Sequence, residues 1–227
     1  MNKIFKVGGA VRDSFLGRIS KDIDFAVETD SFDSMRQIIL GKGGKIFVET
    51  PKFGTIRANV PGLGSADYVI CRKDGVYSDG RHPDSVTVGT LLDDLARRDF
   101  TMNSIAEDVE THEIFDPFCG IADISRMIIR SVGSARARFD EDKLRMFRAL
   151  RFTVVLNFRM ESDIVNAIGA FTPAQFDAVS TERVREELLK MFEVDTARSF
   201  KLLQDFPNLW EVVTQRGIWF KPTICKK

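Results

Sequence analysis

The sequence predicts an α+β protein, with a mixed-sheet head to about residue 135 and an all-helical segment after it. Three observations point there. Short strand-like runs separated by glycine-rich breaks recur through the first third of the chain. From Ser134 onward the apolar residues recur at helical spacing. Of 227 residues, 44% are hydrophobic, enough for one large core or two smaller ones. The expected domains are residues 1–135 and 136–227.

Lys3–Val7 reads as a strand ending at Gly8-Gly9, followed by a helix to about Leu16 that Gly17 stops. Asp22–Glu28 alternates carboxylate and apolar residues, the period of a strand. Ser31 caps a helix through Leu40, closed by the glycines at 41, 43 and 44. Lys45–Val48, Thr55–Val60 and Ala66–Arg72 read as further strands. Lys73–Thr90 is a polar connection rich in Gly, Asp, Ser and Pro. Connections beyond about 12–15 residues without their own structure are usually functional or disordered. Leu91–Glu107 is expected to be helical, then a hairpin around Thr111 and a helix from Gly120 to Arg126. Asp140–Phe152, Thr181–Glu193 and Ala197–Phe206 carry helical periodicity, with breaks at Thr172-Pro173 and from Asp205 to Asn208. The apolar stretch Leu209-Trp210, Val212-Val213 and Ile218-Trp219-Phe220 is expected to pack as a helix on its predecessors. Left exposed, it would be a self-association surface and would favour a homodimer.

Basic and acidic residues balance at 33 each, which argues against a generic basic coat for nucleic acid but not against a local basic strip. Cys71, Cys119 and Cys225 are scattered and odd in number, so neither a disulfide framework nor a zinc site is expected. Reduced thiols suit a cytoplasmic protein. Met1–Val7 is too short and polar for a signal peptide, and no apolar run of about 18 residues suggests a membrane span.

The chemistry begins at Gly8-Gly9. Glycines let the backbone approach a ligand, and the free N–H groups of a helix start favour anions, with Arg12 one turn further in. Gly-Gly alone is more often an ordinary turn, and no P-loop pattern is present. On a strand Asp22 and Asp24 point to one face, and two adjacent carboxylates repel unless a cation lies between them. Two Mg²⁺ ions about 3.5–4 Å apart suit such a site. Asp67 opens a later strand and is a candidate third carboxylate. Arg97 and Arg98 suit phosphate, and Asn103 falls on the helical face of Asp99. Further on, Asp142 and Arg145 are helical neighbours that suit base recognition, and Arg148 and Arg151 continue a basic strip. Singly, each of these also reads as a solvated surface feature. A triphosphate needs both an anion turn and a metal pair, so together they point to nucleotidyl transfer.

At these residues the chain resembles the class II tRNA nucleotidyltransferases, that is the CCA-adding enzymes and the related bacterial poly(A) polymerases. The matching stretches run in the family's order. Gly8-Gly9-Ala10-Val11-Arg12-Asp13 with Asp22-Ile23-Asp24 resembles its metal motif. Arg72 and Asp74 to Pro83 resemble its flexible loop, and Arg97 to Asn103 its ribose and triphosphate motif. Asp116-Pro117-Phe118-Cys119-Gly120 with Asp123 resembles the hinge, Glu141-Asp142 with Arg145 the amino-acid template, and Glu182 to Glu187 the last motif. The resemblance covers residues 4 to about 192 and implies a polymerase-beta-like nucleotidyltransferase head followed by a helical neck.

Carried over residue by residue, the resemblance implies that Asp22 and Asp24 hold two Mg²⁺ ions, with Asp67 near the primer hydroxyl. Gly8, Gly9, Arg12 and Arg98 would take the triphosphate, with Asp99 and Asn103 near the sugar. Asp142 and Arg145 would pair with the incoming base, and Arg148 and Arg151 would lie towards phosphate or RNA. Asp116, Gly120, Glu182 and Arg183 would be structural or hinge residues. The implied substrates are CTP, ATP and the tRNA 3′ end. The full-length loop favours CCA or A addition over CC addition, poly(A) synthesis is the related alternative, and a catalytically idle RNA- or nucleotide-binding module is the alternative of another class. Lys143 stands where many members have Pro, and Ser104 where Ala is usual. Family members continue into a helical body and tail that grip tRNA, and little follows residue 206 here. Weak or dimer-assisted RNA binding is therefore expected.

Overall fold

Lys3–Val7 forms β1, and the chain turns at Gly8 into α1, Gly9–Phe15. The structure, a computed structural model, describes residues 2–20, 22–77 and 83–218. There follow β2 (Asp24–Glu28), α2 (Phe32–Gly41), β3 (Lys45–Thr50), β4 (Thr55–Val60) and β5 (Gly64–Ile70). A short hairpin of β6 (Arg72–Asp74) and β7 (Val86–Val88) leads to α3 (Leu91–Ala96), β8 (Ala106–Asp108), β9 (Ile114–Phe115) and α4 (Gly120–Ser125). After β10 (Ile128–Ile129) come α5 (Ala135–Glu141), α6 (Leu144–Val155), β11 (Arg159–Met160) and α7 (Ser162–Gly169). The last described helices are α8 (Thr181–Phe192), α9 (Thr196–Gln204) and α10 (Pro207–Gln215).

Among the described residues the main sheet has the order β3-β4-β5-β2-β1-β8-β9. It is mixed, because β2 and β5 run parallel while β1 pairs antiparallel with both β2 and β8. Alternation sends successive side chains to opposite faces. Ile4, Phe25, Val27 and Tyr68 join Met35 and Ile39 of α2 in one core cluster, where Phe25 and Tyr68 stack at 4.9 Å. Phe5, Val7 and Ala26 join Leu91 and Leu95 of α3 in another. Helices therefore cover both faces and hold the ends of β1 and β2 in place.

The described residues divide into two units. The first takes the chain up to Val76, then Pro83 to Arg126 and Arg130 to Gly133; the second takes Met127 to Ile129 and the chain from Ser134 onward. In the second unit α6 is the central element: Leu144, Phe147, Leu150 and Phe152 are all buried, as their spacing predicts. Leu209, Val212 and Val213 of α10 are buried too, so that part of the C-terminal apolar stretch is core. Trp219, Phe220 and Cys225 lie outside the described residues. No helix among the described residues is long and apolar enough to cross a membrane.

Four expectations need correction. The strand expected from Asp22 begins at Asp24: β1 turns away at Gly8, so its last pairing is Val7 with Asp24 and no strand is left for Asp22. The helix expected over 91–107 ends at Ala96. There the Ser104 hydroxyl donates to the Leu95 carbonyl and Asp99 Oδ1 accepts from its own neighbour Phe100 N at 2.8 Å, local bonds that replace the helical ladder. The helix expected over 140–152 is two helices. Asp142 is extended (φ −149°, ψ 106°), and its carboxylate accepts from Leu144 N at 3.0 Å, starting α6. The polar connection 73–90 contains its own hairpin, with Arg72 opposite Val88 and Asp74 opposite Val86. Ser78, Asp79, Gly80, Arg81 and His82 of the resembling loop lie outside the described residues.

Candidate active site

In the first unit, Gly8 sits at φ 71°, ψ −135°, a conformation that L side chains rarely adopt. A Cβ there would come within 2.9 Å of Arg98 Nη1, and one on Gly9 within 3.4 Å of Arg12 Nη2. Both guanidiniums therefore lie against the glycine turn, which only glycine leaves open. Arg12 is buried: Nη1 donates to Asn103 Oδ1 at 2.8 Å, and Nη2 to Asp13 Oδ1 at 2.7 Å. Asn103 Nδ2 in turn donates to Asp99 Oδ1 at 3.1 Å. The Asp99–Asn103 contact expected from helical spacing thus exists, made across a 3₁₀ turn at Thr101–Asn103. Both residues are buried beside Arg12.

The acidic side of the site is built by strand pairing. Asp24 and Asp67 are direct partners across β2 and β5. Asp22 lies in the loop before β2, off the strand, and its charge reaches Asp24. Asp24's carboxyl is pushed up from its ordinary value, first by desolvation, then by the negative charges of Asp67 and Asp22; Arg98 and Arg57 oppose the rise. Asp67 Oδ2 accepts from Arg57 Nη1 at 3.0 Å. Asp67 does not open its strand as expected: the β4–β5 pairing extends β5 back to Gly64 and leaves Asp67 in its middle, opposite the first residue of β2. Carboxylates on two adjacent strands suit a hard divalent cation. Among the described residues no three His, Cys, Asp or Glu side chains form a ready-made cage, so a cation here would draw further ligands from substrate or water. The donor chemistry fits Mg²⁺.

Asp116 satisfies the free N–H groups at the start of α4: its two oxygens accept from Gly120 N at 2.6 Å and Ile121 N at 2.9 Å. A Cβ on Gly120 would lie 2.2 Å from the Thr101 carbonyl oxygen, so glycine allows α4 to seat against that turn.

The second unit holds the other sequence-selected residues. The side chains of Asp142 and Arg145 do not pair with each other, although the Arg145 N–H donates to the Asp142 carbonyl at 3.0 Å. Asp142 Oδ2 accepts from Arg183 Nη2 at 2.8 Å, while Arg145 Nη1 donates to Glu141 Oε2 at 2.6 Å and to the Arg138 carbonyl at 3.0 Å. Each is held by its own partner, with α8 supplying Arg183. Arg151 and Arg148 approach the buried Glu187 at 2.6 and 3.7 Å, and the Arg151 guanidinium lies 4.1 Å from the Phe152 ring centre. Glu182 is exposed at the first turn of α8. Sequence reasoning missed Arg57 and Asp94, and it named Glu187 only as part of the last resembling motif. Asp94 was within reach, since its offsets to Arg97 and Arg98 are helical pair spacings. Arg57 had no local signal, because only the β4–β5 register brings it to Asp67.

A guanidinium-lined glycine turn beside carboxylates paired across two strands, on a mixed sheet, defines a nucleotidyltransferase head. The chain belongs to the poly A polymerase head domain family, whose model matches residues 4–130. A second model, for the probable RNA- and SrmB-binding site of polymerase A, matches residues 157–210. The CCA-adding enzyme of Lactobacillus johnsonii is 37% identical over 214 residues, covering 93% of this chain and 52% of that protein. The crystal structure of the Bacillus stearothermophilus CCA-adding enzyme in complex with CTP matches with a TM-score of 0.76 and 37% identity, over 90% of this chain and 48% of that one. The Thermotoga maritima CCA-adding enzyme complexed with tRNA matches with a TM-score of 0.74 and 26% identity, over 97% of this chain and 50% of that one. The chain spans about half the length of the curated relatives it matches.

Proposed function

We propose that this chain is a template-independent tRNA nucleotidyltransferase that adds C and A, from CTP and ATP, to the tRNA 3′ end. One observation carries the reading: the Arg98 guanidinium lies against the glycine turn and its charge also reaches Asp24, so a phosphate-binding group and a metal-suited carboxylate share one neighbourhood. In support, relatives that match most of the chain are CCA-adding enzymes, solved with CTP and with tRNA. Gly8, Gly9, Arg12 and Arg98 bind and orient the triphosphate, while Asp99 and Asn103 fix Arg12 and border the sugar. Asp142 accepts from, and Arg145 donates to, the edge of the incoming base. The RNA 3′-oxygen attacks the α-phosphorus, the bond to the bridging oxygen breaks, and pyrophosphate leaves. Asp22 and Asp24 would hold Mg²⁺, two ions by the resemblance, with Asp67 near the attacking hydroxyl; bound metal would lower the pKa of that hydroxyl and neutralise phosphate charge. The protein's own contribution is largely placement and electrostatics. The domain division proposed is a catalytic head to residue 135 and a neck from 136.

The test supplies the chain with Mg²⁺ and three tRNAs, lacking CCA, ending in C and ending in CC, each with CTP, ATP or both. Products that stop at CCA are expected. Addition of A alone to the CC end would make the chain an A-adding enzyme, and a long A ladder a poly(A) polymerase. Nucleotide binding without incorporation would favour the idle module.

A further inference from the structure

We propose that Asp94 is a positioning residue for the incoming triphosphate: its buried carboxylate fixes Arg98 over the Gly8 turn and, through Arg97, ties that turn to the β6–β7 hairpin. The inference rests on the reading above, that the Gly8 turn takes the triphosphate.

Asp94 lies on α3 and is 2% exposed. Its two oxygens are divided between two guanidiniums. Oδ1 accepts from Arg97 Nη2 at 2.6 Å and Nε at 3.0 Å, and Oδ2 accepts from Arg98 Nη2 at 2.9 Å. Arg98 has a second anchor, the Asn103 carbonyl at 3.3 Å, and the same guanidinium crowds the position of a Gly8 Cβ. Arg97 reaches the other way: its Nη1 is 3.8 Å from Asp74 Oδ2 on β6, and Asp74 Oδ1 pairs with Arg72 Nε at 3.0 Å. A continuous run of ion pairs therefore leads from the base of the hairpin, through one buried carboxylate, to the glycine turn.

An arginine on a flexible stem loses rotamer freedom when it grips a ligand. Fixing it beforehand removes that cost from binding. A buried charge-assisted pair does this more firmly than an exposed one, and removing one member leaves the others buried without compensation.

The test measures equilibrium binding of CTP and of ATP to the full chain, alongside thermal melting. Asp94→Asn is expected to weaken both nucleotides by about tenfold or more, the scale of a lost charge-assisted contact. Leu95→Ala, which loosens the same helix from its apolar side, is expected to lower the melting temperature with binding within twofold of wild type. Asp74→Asn is expected to weaken binding less, and the Asp74→Asn, Asp94→Asn pair to bind no worse than Asp94→Asn alone. Binding by Asp94→Asn within twofold of wild type, with a melting loss like that of Leu95→Ala, overturns the proposal. If Asp94→Asn does not fold, Asp74→Asn decides, and unaltered binding there overturns it. Absence of binding by the wild-type chain would instead overturn the reading of the triphosphate site itself.

Discussion

Desolvation raises Asp24's carboxyl, and the negative charges of Asp67 and Asp22 add to the rise. Such a group costs stability when ionised and no cation balances it. Asp24→Asn should therefore keep or raise the melting temperature measured in chelator, while cutting nucleotide incorporation by about a thousandfold, the scale of losing metal-assisted charge stabilisation. A melting loss of several degrees would show that the carboxylate serves the fold. Asp94 behaves in the opposite way. Burial pushes its carboxyl up, but the Arg98 and Arg97 guanidiniums pull harder and hold it below the usual range. A carboxyl lowered in the folded state contributes stability above its unfolded value of about 3.9 and loses it as pH falls through the folded value. Melting temperatures of the wild type should thus fall on acidification below about pH 4, and Asp94→Asn should flatten that part of the profile. Parallel profiles for the two proteins would remove Asp94 from the acid response.

At the scale of elements, boundaries rather than interiors place the chemistry. β1 ends at Val7, just before Gly8, and β2 begins opposite Val7 at Asp24, so the glycine turn and Asp24 lie at one end of this strand pair. The 3₁₀ turn after α3 brings Asn103 back to Arg12, which a continued helix would carry away. α4 seats on that turn through Gly120. A Cβ there would sit 2.2 Å from one backbone atom and 2.8 Å from another, neither of which is free to swing aside. Gly120→Ala should cost stability at the upper end of about 1–3 kcal/mol, read by urea unfolding. A cost below about 0.5 kcal/mol would mean that α4 moves without consequence. The break between α5 and α6 has a similar use. It frees Asp142 from a helical surface and lets Arg183 from α8 grip it.

Of the two units, the first buries apolar residues on both faces of its sheet and the second buries them around α6. Both tryptophans of the chain, Trp210 and Trp219, fall in the C-terminal part, and Trp210 is on α10 of the second unit. Tryptophan fluorescence therefore follows the second unit, while far-ultraviolet circular dichroism follows both. The two signals should give non-coincident urea transitions. Superimposable curves would mean that the units unfold as one.

The strands and helices with clean periodicity, the glycine turn, and the identity of the acids and arginines are legible in the chain alone. These are local properties: Gly8 needs its torsion angles, and α6 needs its apolar stripe at Leu144, Phe147 and Leu150. The chain also carries the ordered motifs from which the family resemblance follows. Tertiary structure decided which of those residues meet. Periodicity put Asp22 and Asp24 on one strand, but β1 ends too soon to pair with Asp22, and Asp67 is Asp24's partner across the sheet instead. Helical spacing paired Asp142 with Arg145, but a cap at Asp142 broke the helix and each found another partner. Arg57 and Glu187 carry no sign of their roles in the chain around them, because strand register and helix packing join residues far apart in sequence. Ion pairs of this kind follow distance in space, and only the folded chain sets that distance.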